Sequence, residues 1–144
     1  MKFIPSLAIL SAAVLPCLAQ SGTTRVTYDT TYDISTWPLT STACSNGANG
    51  LAAKWPTLGK IPNFPFVGGI PVLTWNSPLC GTCWQLVYVS NGVTKNVTIT
   101  AVDAAYSFNI GKGAFTALAG SAGIDAGSVV ATAVQVAPAK CGIV

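Results

Sequence analysis

Runs of β-branched and aromatic residues separated by turn residues dominate the chain after its first twenty positions. "WQLVYV" (84–89) and "VTKNVTITAVD" (93–103) are two such runs. Asn91-Gly92, between them, is a strong hairpin signal, because both residues tolerate the positive φ that a two-residue turn demands. "GSVVATAVQVAP" (127–138) predicts a further strand, and "RVTYDTTYD" (25–33) a first strand running into a loop. A helical period occurs once, from about Asn109 to Ala119. Ile110, Ala114 and Leu118 share one side there, Asn109 is placed to cap and Gly120 to stop. Residues 44–79, dense in Gly, Pro and Asn, predict ordered loops. Short strands with one or two short helices suggest a mainly β chain forming a small barrel.

The first twenty residues follow another pattern. Lys2 precedes an apolar run to about Leu18, and the small Cys17 and Ala19 stand at the −3 and −1 positions of a cleavage after Ala19. This reads as a secretory signal peptide over 1–19. The run is shorter than the roughly 18 residues of a membrane span and contains Pro5 and Pro16. Residues 20–144 then form one exported domain with no membrane span. Cleavage leaves Cys44, Cys80, Cys83 and Cys141, an even number that predicts two disulfides in an oxidising compartment. Cys80 and Cys83 have the spacing of a redox dithiol, but a strand follows where such motifs usually start a helix. A zinc site would lack histidine. Spacing alone leaves open whether Cys44 pairs with Cys80 and Cys83 with Cys141, or the two pairs cross.

Composition narrows the chemistry. Charged residues are only 8% of the chain and hydrophobic ones 51%. Beyond the leader, Arg25 and five lysines oppose Asp29, Asp33, Asp103 and Asp125, a net charge of about +2 with no basic run, which argues against nucleic acid. A surface rich in hydroxyl and amide groups suits neutral partners such as sugars, and adsorption at interfaces. With neither histidine nor glutamate, Ser-His-Asp and Cys-His catalysis is excluded, and no motif calls for a cofactor. Asp103 ends a strand in which Val97, Ile99, Ala101 and Asp103 share a face under strict alternation, so it is expected at the mouth of an apolar enclosure. Hydrolysis of a glycosidic bond normally takes two carboxyls at set separations. Asp29 or Asp33 supplies the second only if the first strand packs beside Asp103, so binding without turnover fits better and no catalytic residue is assigned.

"VTYDTTYD", "ACSNGANGL", "IPNFPFVGG", "TWNSPLCGTCW", "VTITAVDAAYSFNI" and "ATAVQVAPAKCG" occur in that order over residues 26–142. Together they closely resemble the cerato-platanin family of small secreted fungal proteins. The resemblance implies a six-stranded double-psi β-barrel with Cys44–Cys80 and Cys83–Cys141 disulfides. It also implies binding of chitin and N-acetylglucosamine oligomers, expansin-like loosening of wall polysaccharide without hydrolysis, and elicitation of plant defence through plant receptors. Residence in the medium or the fungal cell wall and self-association at interfaces are implied too. By position it assigns Asp103 and Asn109 to a shallow carbohydrate groove, with Tyr28, Asp29, Asn49, Gly50, Asn76, Ser77, Gly81 and Gln135 nearby. Turn geometry is the plainer role for Asn49 and Gly50, and a buried hydrogen bond for Gln135. The chain departs from the family at "AAYS" (104–107), one residue short and carrying Tyr106. Of the tryptophans, Trp84 is expected in the core, and Trp37 and Trp55, each before a proline, at the surface. Asn96-Val97-Thr98 is a candidate glycan acceptor. The competing readings are an interface-active structural wall protein, a weak glycan-cleaving enzyme using Asp103 alone, and an effector that binds a plant protein.

Overall fold

The computed structural model describes residues 21–144; the signal peptide assigned to residues 1–19 lies outside them. Six strands close into a barrel: β1 (Ser21–Tyr28), β2 (Val67–Ile70), β3 (Cys83–Ser90), β4 (Val93–Ala104), β5 (Phe108–Ile110) and β6 (Ser128–Val136). Their order round the barrel is β1-β5-β2-β4-β3-β6, the six-stranded double-psi arrangement that the resemblance implies. β3 and β4 form the expected hairpin, with Asn91 and Gly92 both at positive φ, 50° and 73°, as a turn matched to strand twist requires. β1 pairs with β5 and β2 with β4 in parallel, the other neighbours antiparallel.

The alternating residues do what their pattern demands. Trp84 and Leu86 of β3, Val97, Ile99 and Ala101 of β4, and Val129, Ala131 and Ala133 of β6 are buried in one cluster. The helix α1 (Lys112–Ala126) closes the cluster with Ala114, Phe115 and Leu118. A second cluster, made by Tyr32, Leu39, Trp55, Leu58, Ile61, Val67 and Val102, lies under the long loops. Apolar side chains therefore line both sides of β4 at Ala101–Val102, which anchors the loops to the barrel.

Three expectations needed correction. The helix starts at Lys112, not Asn109, which belongs to β5. Its first amides are held from outside, with Lys112 N–H and Gly113 N–H donating to Asp33 at 2.7 and 3.0 Å. That carboxylate does the capping expected of Asn109. The helix runs on past Gly120, which sits at φ 66° as a kink, and ends at the left-handed Gly127. Finally, the loop segment contains β2, too short and glycine-rich to show a strand pattern.

Both disulfides have the pairing that the resemblance implied: Cys44–Cys80 and Cys83–Cys141. Cys80 and Cys83 anchor separate bridges. No helix among the described residues is long and apolar enough to cross a membrane.

Candidate functional site

Asp103, Gly69, Asn109 and Thr27 form one row across four adjacent strands. Gly69 of β2 is opposite Asp103 of β4 on one side and Asn109 of β5 on the other, and Asn109 is opposite Thr27 of β1. Two strand spacings place the Asp103 and Asn109 backbones about 10 Å apart. Between them Gly69 has no side chain, and none would fit: a Cβ there would stand 2.9 Å from Ala105 Cβ and 3.0 Å from the Tyr32 hydroxyl. The glycine makes a notch that Tyr32 enters.

Asp103 does not continue the row of Val97, Ile99 and Ala101 as strict alternation suggested. The β2–β4 register slips between Gly68 and Gly69, leaving Val102 as an extra residue on β4. A bulge of this kind re-aims the side chains beyond it. Val102 packs with Tyr32 in the outer cluster, and the Asp103 carboxylate follows to the same side. Its Oδ1 accepts from Ala43 N–H and Ala104 N–H, each at 2.8 Å, and its Oδ2 accepts from the Tyr32 hydroxyl at 3.3 Å. Asp103 is half-buried, tying the loop at Ala43 to the barrel while keeping access to solvent.

Tyr32 lies buried beside this carboxylate. Desolvation, then the Asp103 charge and hydrogen bond, then the Asp29 charge push its phenol above the ordinary tyrosine range. Asp29, which the resemblance placed nearby, therefore acts on the same group. Asp29 is exposed, and its Oδ1 accepts from Thr31 N–H at 2.8 Å. The consequence for stability has a definite sign. In the unfolded chain the phenol ionises near pH 10, and in the folded protein only at higher pH. The stabilisation is complete below pH 10 and is lost as pH rises through the folded value. The melting temperature is expected to fall above about pH 10, and to fall less steeply in Tyr32→Phe. Calorimetry across pH 8–11 measures this, and parallel curves for the two proteins would refute it.

A second group of predicted residues flanks the row. Asn49 N–H donates to Asn76 Oδ1 at 2.8 Å, and Asn49 Nδ2 donates to the Asn76 carbonyl at 2.9 Å. Asn76 adopts φ 57°. A Cβ on Gly50 would collide with the Asn46 backbone at 2.4 Å. Ser77 is buried, and its hydroxyl accepts from Leu79 N–H at 3.1 Å. Gly81 is at φ 78° and donates to the Ala101 carbonyl at 2.8 Å. These residues stitch two loops together beside Cys44–Cys80, one residue from Ala43 and hence from Asp103.

On these loops stands a tryptophan that the sequence did not single out as a surface candidate. Trp75 is 60% exposed, and its Nε1–H donates to Asn46 Oδ1 at 2.7 Å, which fixes the indole with its ring in solvent. Trp55, expected outside, is 9% exposed, and Trp37 is half-buried; a following proline did not mark surface position. Trp84 is in the core as expected. Tyr106 is fully exposed at the tip of the short β4–β5 connection.

Two predicted residues lie apart from the row. The Tyr28 ring packs on Phe115, with centroids 5.1 Å apart, against the barrel core. Gln135 is opposite Trp84 on β6, half-buried. Asn109 belongs to the row: its Oδ1 accepts from the Thr27 hydroxyl at 3.0 Å, leaving its Nδ2 as a donor.

The arrangement has homologues. The cerato-platanin family model matches residues 24–143. Cerato-platanin from Ceratocystis fimbriata f. sp. platani is 45% identical over 113 residues, 76% of this chain and 80% of that protein. A heat-stable 19 kDa antigen of Coccidioides posadasii is 38% identical over 149 residues, 99% of each chain. Among solved structures, cerato-platanin 2 from M. perniciosa superposes with a TM-score of 0.80 at 34% identity, over 85% of this chain and 100% of that one. The fungal elicitor cerato-platanin superposes at 0.70 and 45% identity, over 81% and 95%. The family match spans both disulfides, all six strands but for the first residues of β1, and every residue of the row, and the chain belongs to the cerato-platanin family.

Proposed function

We propose that the protein is exported and binds polysaccharide without cutting it, with the Asp103–Gly69–Asn109 row and Trp75 forming the binding surface. The preferred ligands are chitin and N-acetylglucosamine oligomers and related cell-wall glycans. The observation that carries this reading is the row itself: an acceptor and a donor about two strand spacings apart, separated by a glycine that adds no side chain of its own. Asn109 Nδ2 and the Asp103 carboxylate can pair with sugar hydroxyl and acetamido groups, each contact contributing about 0.5–1.5 kcal/mol net. The open Trp75 face supplies a surface for a pyranose ring.

The same geometry argues against hydrolysis. A general acid must present an O–H to the leaving oxygen, and both Asp103 oxygens already accept from Ala43, Ala104 and Tyr32. Asp33 is committed to the start of α1 and Asp29 to the Thr31 amide. Loosening of wall polysaccharide then follows from competition for hydrogen bonds between chains. Recognition by plant receptors, with elicitor activity, accompanies release into host tissue; one structural relative is described as a fungal elicitor.

Trp75→Ala is expected to weaken binding of an N-acetylglucosamine hexamer about tenfold or less, the equivalent of roughly 0.5–1.5 kcal/mol, with the melting temperature unchanged. Calorimetric titration checks this beside an assay for reducing ends. Unchanged affinity in Trp75→Ala would remove the indole from the site. New reducing ends abolished by Asp103→Asn would replace binding with cleavage.

A further inference from the structure

We propose that Asn96 carries an N-linked glycan whose first sugar sits in the shallow concavity between β4, the turn at Asn63–Phe66 and helix α1. Asn96-Val97-Thr98 has the acceptor pattern, and β4 displays it in a usable form. Val97 points into the core, while Asn96 is exposed and Thr98 half-exposed on the outer face. A glycan on Asn96 thus leaves the barrel interior undisturbed.

The amide has a preferred direction. Gln85 Nε2 of β3 donates to Asn96 Oδ1 at 3.5 Å, which turns Oδ1 toward β3 and Nδ2 toward the opposite side of the strand. On that side lies an open concavity lined by Asn63, Phe66, Asn96, Val97, Thr98 and Ala117. The Phe66 ring and Ala117 methyl offer apolar surface to the carbohydrate face, and the concavity gives the N-acetyl group room. Asn96 is seven residues from Asp103 along β4, about 23 Å at strand rise, so the glycan leaves the polysaccharide-binding row open.

In the modification, Asn96 Nδ2 displaces a lipid-linked pyrophosphate from C1 of a donor oligosaccharide. The C–N bond forms as the C–O bond breaks, the pyrophosphate leaves with the bonding electrons, and one amide proton passes to the transferase. No oxidation or reduction occurs. The inference rests on export, because the donor and transferase belong to the secretory pathway; it does not rest on the ligand of the row.

The test expresses the full chain in a filamentous fungus or yeast and weighs the protein recovered from the medium. The expected mass exceeds the polypeptide by N-acetylhexosamine and hexose increments that are removed by peptide-N-glycosidase F. They are absent from Asn96→Gln and from Thr98→Ala and retained in Thr98→Ser. Amide shifts at Phe66 and Ala117 are expected to differ between the glycosylated protein and Asn96→Gln. Secreted protein with the bare polypeptide mass, or an added mass that resists the glycosidase, overturns the assignment to Asn96 while leaving export intact. Protein retained unprocessed inside the cell overturns export and the glycan together. A glycan at Asn96 with no shift at Phe66 or Ala117 overturns the seating.

Discussion

Asp103→Ala is expected to lower both stability and affinity, because one side chain holds the loops and belongs to the proposed binding row. Its removal leaves the Ala43 amide and the buried Tyr32 hydroxyl without their acceptor. An orphaned buried donor costs about 1–3 kcal/mol. The half-exposed position of Asp103 lets water replace part of this, and the Ala104 amide is exposed enough to be rehydrated. A net loss of about 3 kcal/mol corresponds to a drop in melting temperature of roughly 10 °C for a domain of this size. Affinity for an N-acetylglucosamine hexamer is expected to fall at least about tenfold, the equivalent of about 1.4 kcal/mol. Asp103→Asn, which keeps one acceptor oxygen, is expected to fall between the two proteins in both measurements. A melting temperature and affinity equal to those of the parent would show that the network holds neither loop nor ligand.

Loss of a disulfide is the other large effect, and the two bridges are expected to differ in kind. Cys44–Cys80 spans 36 residues and Cys83–Cys141 spans 58. The chain-entropy model gives a loss of about 4 kcal/mol for either, measured as a shift in denaturant midpoint for the paired serine variants. Binding separates them. Cys44 follows Ala43, whose amide reaches Asp103, and Cys80 closes the segment that carries Trp75 and Asn76. Without this bridge, only the bonds between Asn49 and Asn76, between Trp75 and Asn46, and their neighbours hold the two loops in register. Cys44→Ser/Cys80→Ser is therefore expected to lose affinity even where it remains folded. Cys83 lies at the start of β3, and Cys141 in the short C-terminal turn Pro138–Cys141. Neither carries a residue of the row, so Cys83→Ser/Cys141→Ser is expected to bind normally below its lower melting temperature. Equal losses of affinity in the two variants would contradict the division of labour.

How much was legible in the sequence depended on whether the signal was local. The β3–β4 hairpin was legible because Asn91-Gly92 specifies its turn and the flanking runs their faces. β6 was legible from its apolar alternation. β2 was not, since "VGGI" has neither length nor alternation and exists only through its pairing with β4 and β5. The bulge at Val102 was invisible for the same reason, and it made period-two reasoning misdirect the Asp103 side chain. The capping role fell to Asp33 rather than Asn109, a contact across 79 positions that no local pattern reveals. Cysteine spacing left two pairings open, and only the ordered motifs of the family chose between them. The tryptophans show the limit most plainly. Each lies in a loop or strand that reads alike as core or surface, and Trp75 is exposed because Asn46, 29 positions away, holds its indole. Tyr32 and Gly69 escaped notice because a phenol over a glycine notch is a product of barrel closure.

The most direct test of a polysaccharide-binding row is a titration of the isotopically labelled protein with an N-acetylglucosamine hexamer, followed by amide and indole chemical shifts. Saturable shifts are expected at Ala43, Gly69, Asp103, Asn109 and the Trp75 indole, with little change at Gln135, Trp84 or Asn96. Shifts confined to the Trp84–Gln135 end of the barrel, or none at the row up to saturation of the oligomer, would contradict the proposed site.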